Sequence, residues 1–112
     1  MIRAFGEKRP KIHSSAFVSE AAYVVGDVEI GEGSSIWPGV IIRANEHKIK
    51  IGKYVDIQDN TVVHNDSEAY LGDYVTLGHH VMCHAKIVED HCLIGNGAVI
   101  NGDAIIGNHS IV

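Results

Sequence analysis

Residues 24–42 read VVGDVEIGEGSSIWPGVII, and in this stretch Val24, Ile30, Ile36 and Ile42 fall six positions apart. The same beat starts at Ile12 and Val18. It resumes as Ile51, Ile57 and Val63, again as Leu71, Leu77 and Cys83, and then as Val88, Ile94, Ile100, Ile106 and Val112. This period fits neither an amphipathic helix, at about 3.6 residues, nor a free-standing strand, at about 2, so the chain must coil; hexapeptide repeats are a signature of β-helices. Four positions after each aliphatic residue a smaller one usually follows (Ala16, Ala22, Ser34, Thr61, Cys92, Ala98, Ala104 and Ser110, with Val28, Val40, Val55, Val75, Val81 and Ile87). One large and one smaller side chain per hexad would fill a narrow prism.

Glycine directly follows the aliphatic residue at Gly31, Gly52, Gly72, Gly78, Gly95 and Gly107. These glycines are expected at the corners, where positive φ costs glycine little. If three hexads make one triangular turn, residues one turn apart stack at the roughly 4.8 Å spacing of paired strands. The expectation is an all-β, parallel β-helical solenoid over residues 1–112, one domain without linker or low-complexity segment.

Composition narrows the function classes. A net charge of −5, with basic residues scattered along the sequence, argues against nucleic acid as the main partner. No apolar run is long enough for a membrane span, and MIRAFGEK (residues 1–8) lacks the apolar core of a signal peptide. A cytoplasmic location is expected. Cys83 and Cys92 fall on inward positions and read as reduced core residues.

The beat breaks in residues 43–50, where three residues are inserted, in residues 64–70, where two are inserted, and in residues 84–89, where one is missing. All three breaks fall at one corner, since Ile42, Val63 and Cys83 are one turn apart. Loops gathered on one edge of a solenoid are where function tends to sit. Arg43, His64, His84 and Asn101 each follow the aliphatic residue of one column and form an outward ladder. Two imidazoles on consecutive coils, about 5 Å apart, can share one metal ion, because Zn–N bonds are about 2.0–2.1 Å. His79 belongs to another column, stacked on Asp59, and is expected to reach the equivalent site of a neighbouring prism instead. Three prisms about a threefold axis would then hold three sites of three histidines each, the ligand count of a catalytic centre. His13, His47, His80, His91 and His109 read as surface residues.

WPG at 37–39 with IIRANE at 41–46, DIQDNTVVH at 56–64 and LGHHVMCHA at 77–85 resemble the gamma-class carbonic anhydrases and their carbonic anhydrase-like relatives. The resemblance implies a left-handed β-helix and a homotrimer with a metal shared between subunits, bound by His64 and His84 of one chain and His79 of the next. Zinc is the implied metal, with iron or cobalt as alternatives. The implied activity is reversible hydration of CO2 to bicarbonate. Arg43 and Asp59 would form interface ion pairs, Gln58 would orient the reacting solvent, and Glu46 would move protons. Three neutral imidazoles leave a divalent ion its full charge, which brings water ionisation towards neutral pH.

The chain departs from the family at Asn45, where an Asp is usual, and at residues 65–70, which lack a long acidic insertion; Asp66 and Glu68 are candidate substitutes for its relay. Val112 opens a new hexad, and the resemblance implies a further coil and a C-terminal helix that these residues do not supply. Two other functions fit the sequence. One is a metal-binding scaffold with little activity, and the other is a hexapeptide-repeat acyltransferase, which would need one histidine base rather than three at ligand spacing.

Overall fold

A computed structural model describes residues 1–112. Every strand pairing is parallel, and the fold is the left-handed parallel β-helix of hexapeptide-repeat proteins. A first face carries Ile2–Arg3, the start of Tyr23–Ile30 and of Ile41–Ile51, then Val62–Val63, Met82–Cys83 and Val99–Ile100. A second face carries Lys11–Ile12, the ends of the same two long strands, Ala69–Leu71, Ile87–Val88 and Ile105–Ile106. Phe17–Val18, Ser35–Ile36, Asp56–Ile57, Thr76–Leu77 and Leu93–Ile94 make the third.

The register follows the six-residue ruler. Ile42 pairs Val63, Val63 pairs Cys83, and Cys83 pairs Ile100, so each aliphatic residue lies on its counterpart one turn away. Ile36, Ile42, Ile51, Ile57, Leu71, Leu77 and Ile94 are fully buried, and Val28, Val40, Val55, Val75 and Val81 fill the second inward position. Polar residues at that position are satisfied between coils. Ser34 donates to the Gly52 carbonyl at 2.9 Å and accepts from the Val55 N–H at 3.0 Å, and Thr61 bridges Gly78 and Val81 in the same way.

Three expectations need correction. The glycines that follow the aliphatic residues are not the positive-φ residues; that conformation falls two positions later, at Gly33, Tyr54, Tyr74, His91 and His109 along one corner. Those earlier glycines permit close approach of one coil to the next. A Cβ on Gly52 would sit 2.4 Å from Asp73 Oδ1, and one on Gly72 would sit 2.3 Å from Asp90 Oδ1. These carboxylates accept the N–H groups of Lys53 and Asp73, each at 2.8 Å, and so tie successive corners together.

Secondly, the insertion at 43–50 is not a loop. It stays within the eleven-residue strand Ile41–Ile51 and is absorbed by a register shift opposite Gly26 and Val28. Thirdly, the residue missing after Cys83 moves the inward position to Ala85, which is buried, and turns Ile87 outward opposite Tyr70.

The aromatic residues at the positive-φ corner stack in one file. Ring centroids are 5.3 Å apart for Tyr54–Tyr74, 5.0 Å for Tyr74–His91 and 5.1 Å for His91–His109. Stacking offsets the steric cost of left-handed backbone in residues other than glycine.

Both cysteines are free and buried, as their register requires. Burial pushes the Cys83 thiol above its ordinary value of 9.0, and a hydrogen bond with the Ala85 backbone opposes this in part. The folded state therefore holds the proton where the unfolded chain releases it. The contribution of this thiol to stability should be level below about pH 9 and fall as pH rises beyond it, which thermal melts of the wild type and Cys83→Ala across that range would reveal. Ile57→Ala should cost about 2–5 kcal/mol in urea unfolding, whereas Ile105→Ala, on the surface, should stay within about 0.5 kcal/mol.

Candidate metal centre

The first group of polar residues lies where the first face turns into the second. His64 and His84 occupy consecutive coils with ring centroids 5.1 Å apart and planes inclined at 67°. The His64 ring is almost wholly buried, and its Nδ1 lies 2.7 Å from the Arg43 carbonyl. A carbonyl only accepts, so Nδ1–H donates. Nε2 lies 3.5 Å from the exposed carboxylate of Asp66. Fixing one imidazole nitrogen on a backbone carbonyl, with the other left free, is the usual orientation of a metal-ligating histidine.

Arg43 contributes twice. Its carbonyl orients His64, and its guanidinium donates to Asn45 Oδ1 at 2.7 Å, so the amide at this position still accepts from the arginine. Asn65 was not singled out from the sequence, yet it is buried beside this group and donates to Ser67 at 3.2 Å. A lone Asn next to a histidine gives no periodic signal. Cys83 points into the core and takes no part. Glu46 is exposed on the bulged strand and makes no ion pair. Asp66 stands at His64, whereas Glu68 lies round the corner among lysines.

A second group occupies the corner where the third face turns into the first. His79 Nδ1 lies 3.3 Å from Asp59 Oδ1, within ion-pair distance, and both side chains are about half exposed. Next to Asp59, the Gln58 amide nitrogen donates to Asp56, which also accepts from Trp37 Nε1 at 2.9 Å and Ser35 Oγ at 3.1 Å. Asp56 thus anchors the glutamine, a role that was not apparent in the sequence because its partners come from the preceding coil.

The two groups are separated by the first face. His79 and His84 are five residues apart along a largely extended path, roughly 15 Å at strand rise. Accordingly, no group of three His, Cys, Asp or Glu side chains in one chain is placed to hold a metal ion. The chain therefore places a pair of imidazoles on consecutive coils at one edge of the first face and a single imidazole beside a carboxylate at the other edge.

Comparison with known proteins agrees with the repeat. The hexapeptide family described as bacterial transferase hexapeptide (six repeats) matches residues 9–44, which include none of His64, His79 and His84. "Gamma carbonic anhydrase 2, mitochondrial" of Arabidopsis thaliana is 40% identical over 95% of this chain and 41% of its own length. "Carbonic anhydrase" of Geobacillus kaustophilus is 40% identical over 96% of this chain and 60% of its own. A solved structure of a hexapeptide transferase family protein from Anaplasma phagocytophilum superposes with a TM-score of 0.67 at 26% identity, covering 96% of this chain and 80% of that one. The chain spans about half the length of the curated relatives it matches. With its hexad register and these similarities over nearly all its residues, the chain is a hexapeptide-repeat protein that resembles the gamma carbonic anhydrases.

Proposed function

We propose that this chain is a subunit of a metal-dependent carbonic anhydrase-like enzyme that reversibly hydrates CO2 to bicarbonate. In this reading His64 and His84 of one chain and His79 of another hold the metal in a homotrimer. The observation that carries it is the placement of the imidazoles: His64 is held by its Nδ1–H on the Arg43 carbonyl beside His84, His79 lies against the Asp59 carboxylate, and the two groups sit on opposite edges of one face. Exposed apolar side chains lie on the faces that would meet, Ile41 and Val99 on the first and Phe17 and Leu93 on the third. Such patches support lateral association with other copies.

The donor set fits zinc, and iron or cobalt would also accept imidazole nitrogen. When bound, the divalent ion supplies Lewis acidity that brings water ionisation near neutral pH. The protein supplies the rest. Asp59 fixes the tautomer and aim of His79, and the Arg43 carbonyl does the same for His64. Because the Gln58 amide nitrogen is committed to Asp56, its Oε1 is the group available to accept a water O–H and so orient the attacking oxygen towards CO2. Glu46, exposed and unpaired, takes the released proton to buffer. Arg43 keeps guanidinium N–H groups beyond the one on Asn45 for a carboxylate across the interface, for which Asp59 of another copy is the candidate. Two buried free thiols accord with a reducing compartment such as the cytoplasm.

His79→Ala should lower kcat/KM for CO2 hydration by at least about 100-fold, whereas His80→Ala on the neighbouring position should change it less than about twofold. Asp59→Asn should weaken metal binding about 10- to 100-fold in a chelator competition. Full metal occupancy in His79→Ala would contradict the shared site. Metal bound by the wild type with no hydration would favour the scaffold reading instead.

A further inference from the structure

The three breaks in the six-residue beat build a second feature, on the side of the corner away from the histidine pair. A cavity of about 300 Å³ opens there on the second face, lined by Lys48, Lys50, Glu68, Ala69, Tyr70, Lys86 and Ile87. Each of these residues belongs to one of the three irregular segments, 43–50, 64–70 and 84–89. Lys50, Tyr70 and Ile87 stack on consecutive coils in the outward position before the aliphatic residue, and Lys48, Glu68 and Lys86 complete the lining beside them.

Its charge is opposite to that of the whole molecule. The basic residues look scattered along the chain, but coiling collects Lys11, Lys48, Lys50, Lys53 and Lys86, five of the nine, around the second face. Within the cavity three lysines face one acid, Glu68. Lys48 is partly committed to Glu29 at 3.7 Å, while Lys50 and Lys86 have no carboxylate within ion-pair distance. Both ammonium groups are exposed, so each is free to meet a ligand. The apolar part of the lining, Ala69, Ile87 and the half-exposed ring of Tyr70, lies between Lys50 on one coil and Lys86 two coils away.

We propose that this cavity binds an organic phosphate, a phosphorylated small molecule whose dianionic head is held by Lys50 and Lys86 and whose flat apolar body lies on Tyr70 and Ile87. Two uncommitted ammonium groups match a dianion better than a single carboxylate, and lysine serves phosphate as a point charge without needing bidentate geometry. The volume lies at the lower end of the range for small-molecule sites, more than bicarbonate or inorganic phosphate would fill. Glu29, Glu32, Glu68 and Asp73 lie around the cluster, so an extended polyanion would meet like charge on either side of the phosphate position. The Tyr70 phenol, held above its ordinary value by burial first and by Asp73 and Asp90 next, remains a donor throughout the neutral range.

The test is calorimetric titration of the intact protein with ATP at low ionic strength, beside inorganic phosphate and adenosine. ATP should bind at least about tenfold more tightly than either probe. Lys50→Gln with Lys86→Gln should weaken ATP at least about tenfold, and Tyr70→Ala should reduce the preference for ATP over phosphate. Lys53→Gln, on the same face outside the cavity, should change it less than about twofold. All these positions are exposed, so circular dichroism should be unaltered. Absence of ATP binding, equal binding of phosphate and ATP, or indifference to the two lysine changes would each overturn the proposal. Co-sedimentation with phosphatidylcholine–phosphatidylglycerol vesicles distinguishes the source of the phosphate. Retention by vesicles without binding of free ATP would replace the soluble ligand with a lipid headgroup and overturn the proposal in this form.

Discussion

Parallel pairing of each coil with the next is the interaction on which everything else depends. It fixes the vertical spacing at about 5 Å, which sets the distance between the His64 and His84 rings, 5.1 Å, as firmly as the Tyr74–His91 separation, 5.0 Å. The backbone ladder is continuous because each corner is closed by N–H groups donating to the coil beside it and by Asp and Asn side chains that accept the remainder. Asp73, Asp90, Asn96 and Asn108 do this at 2.8–2.9 Å. Gly52, Gly72 and Gly78 lie under three of these caps, where an added Cβ would meet the capping oxygen at 2.3–2.4 Å, and Glu89 takes the equivalent position under Asn108.

A rigid ruler makes departures from it informative. Inserted or missing residues cannot alter the core without breaking the ladder, so they are pushed out at a corner, and here all three emerge at the same one. One side of that corner presents the imidazole pair with its carbonyl-bound His64. The other presents the lysine-rimmed cavity. The two groups therefore share one corner, with imidazoles on one side of it and lysines on the other.

Much of this was legible in the sequence because a single number, six, governs both the core and the outward ladders. The parallel coil, the buried aliphatic columns, the inward cysteines and the adjacency of His64 with His84 and of His79 with Asp59 all follow from counting along the chain. What did not follow depends on local geometry. The positive-φ residues were misplaced by two positions because glycine serves two purposes in these corners, and the residues that actually take that conformation include Tyr54, Tyr74 and His91, whose stacking is visible only in three dimensions. The outward turn of Ile87 and the gathering of lysines were hidden for a related reason: a deletion changes which residues face outward, and charges dispersed along a chain become neighbours when it coils. The anchoring of Gln58 by Asp56 is likewise a contact among several coils that spacing alone does not specify.

The central claim is that the metal is held between chains, and co-expression of two differently tagged chains tests it most directly. One carries His79→Ala and the other carries His64→Ala with His84→Ala, and only assemblies containing both are purified before elemental analysis. Neither parent should retain metal after dialysis, while the mixed trimer should hold about one ion, at the single interface where an intact pair meets an intact His79. Metal retained by the parent lacking His79, or a well-formed mixed assembly without metal, would contradict a site completed by a second chain.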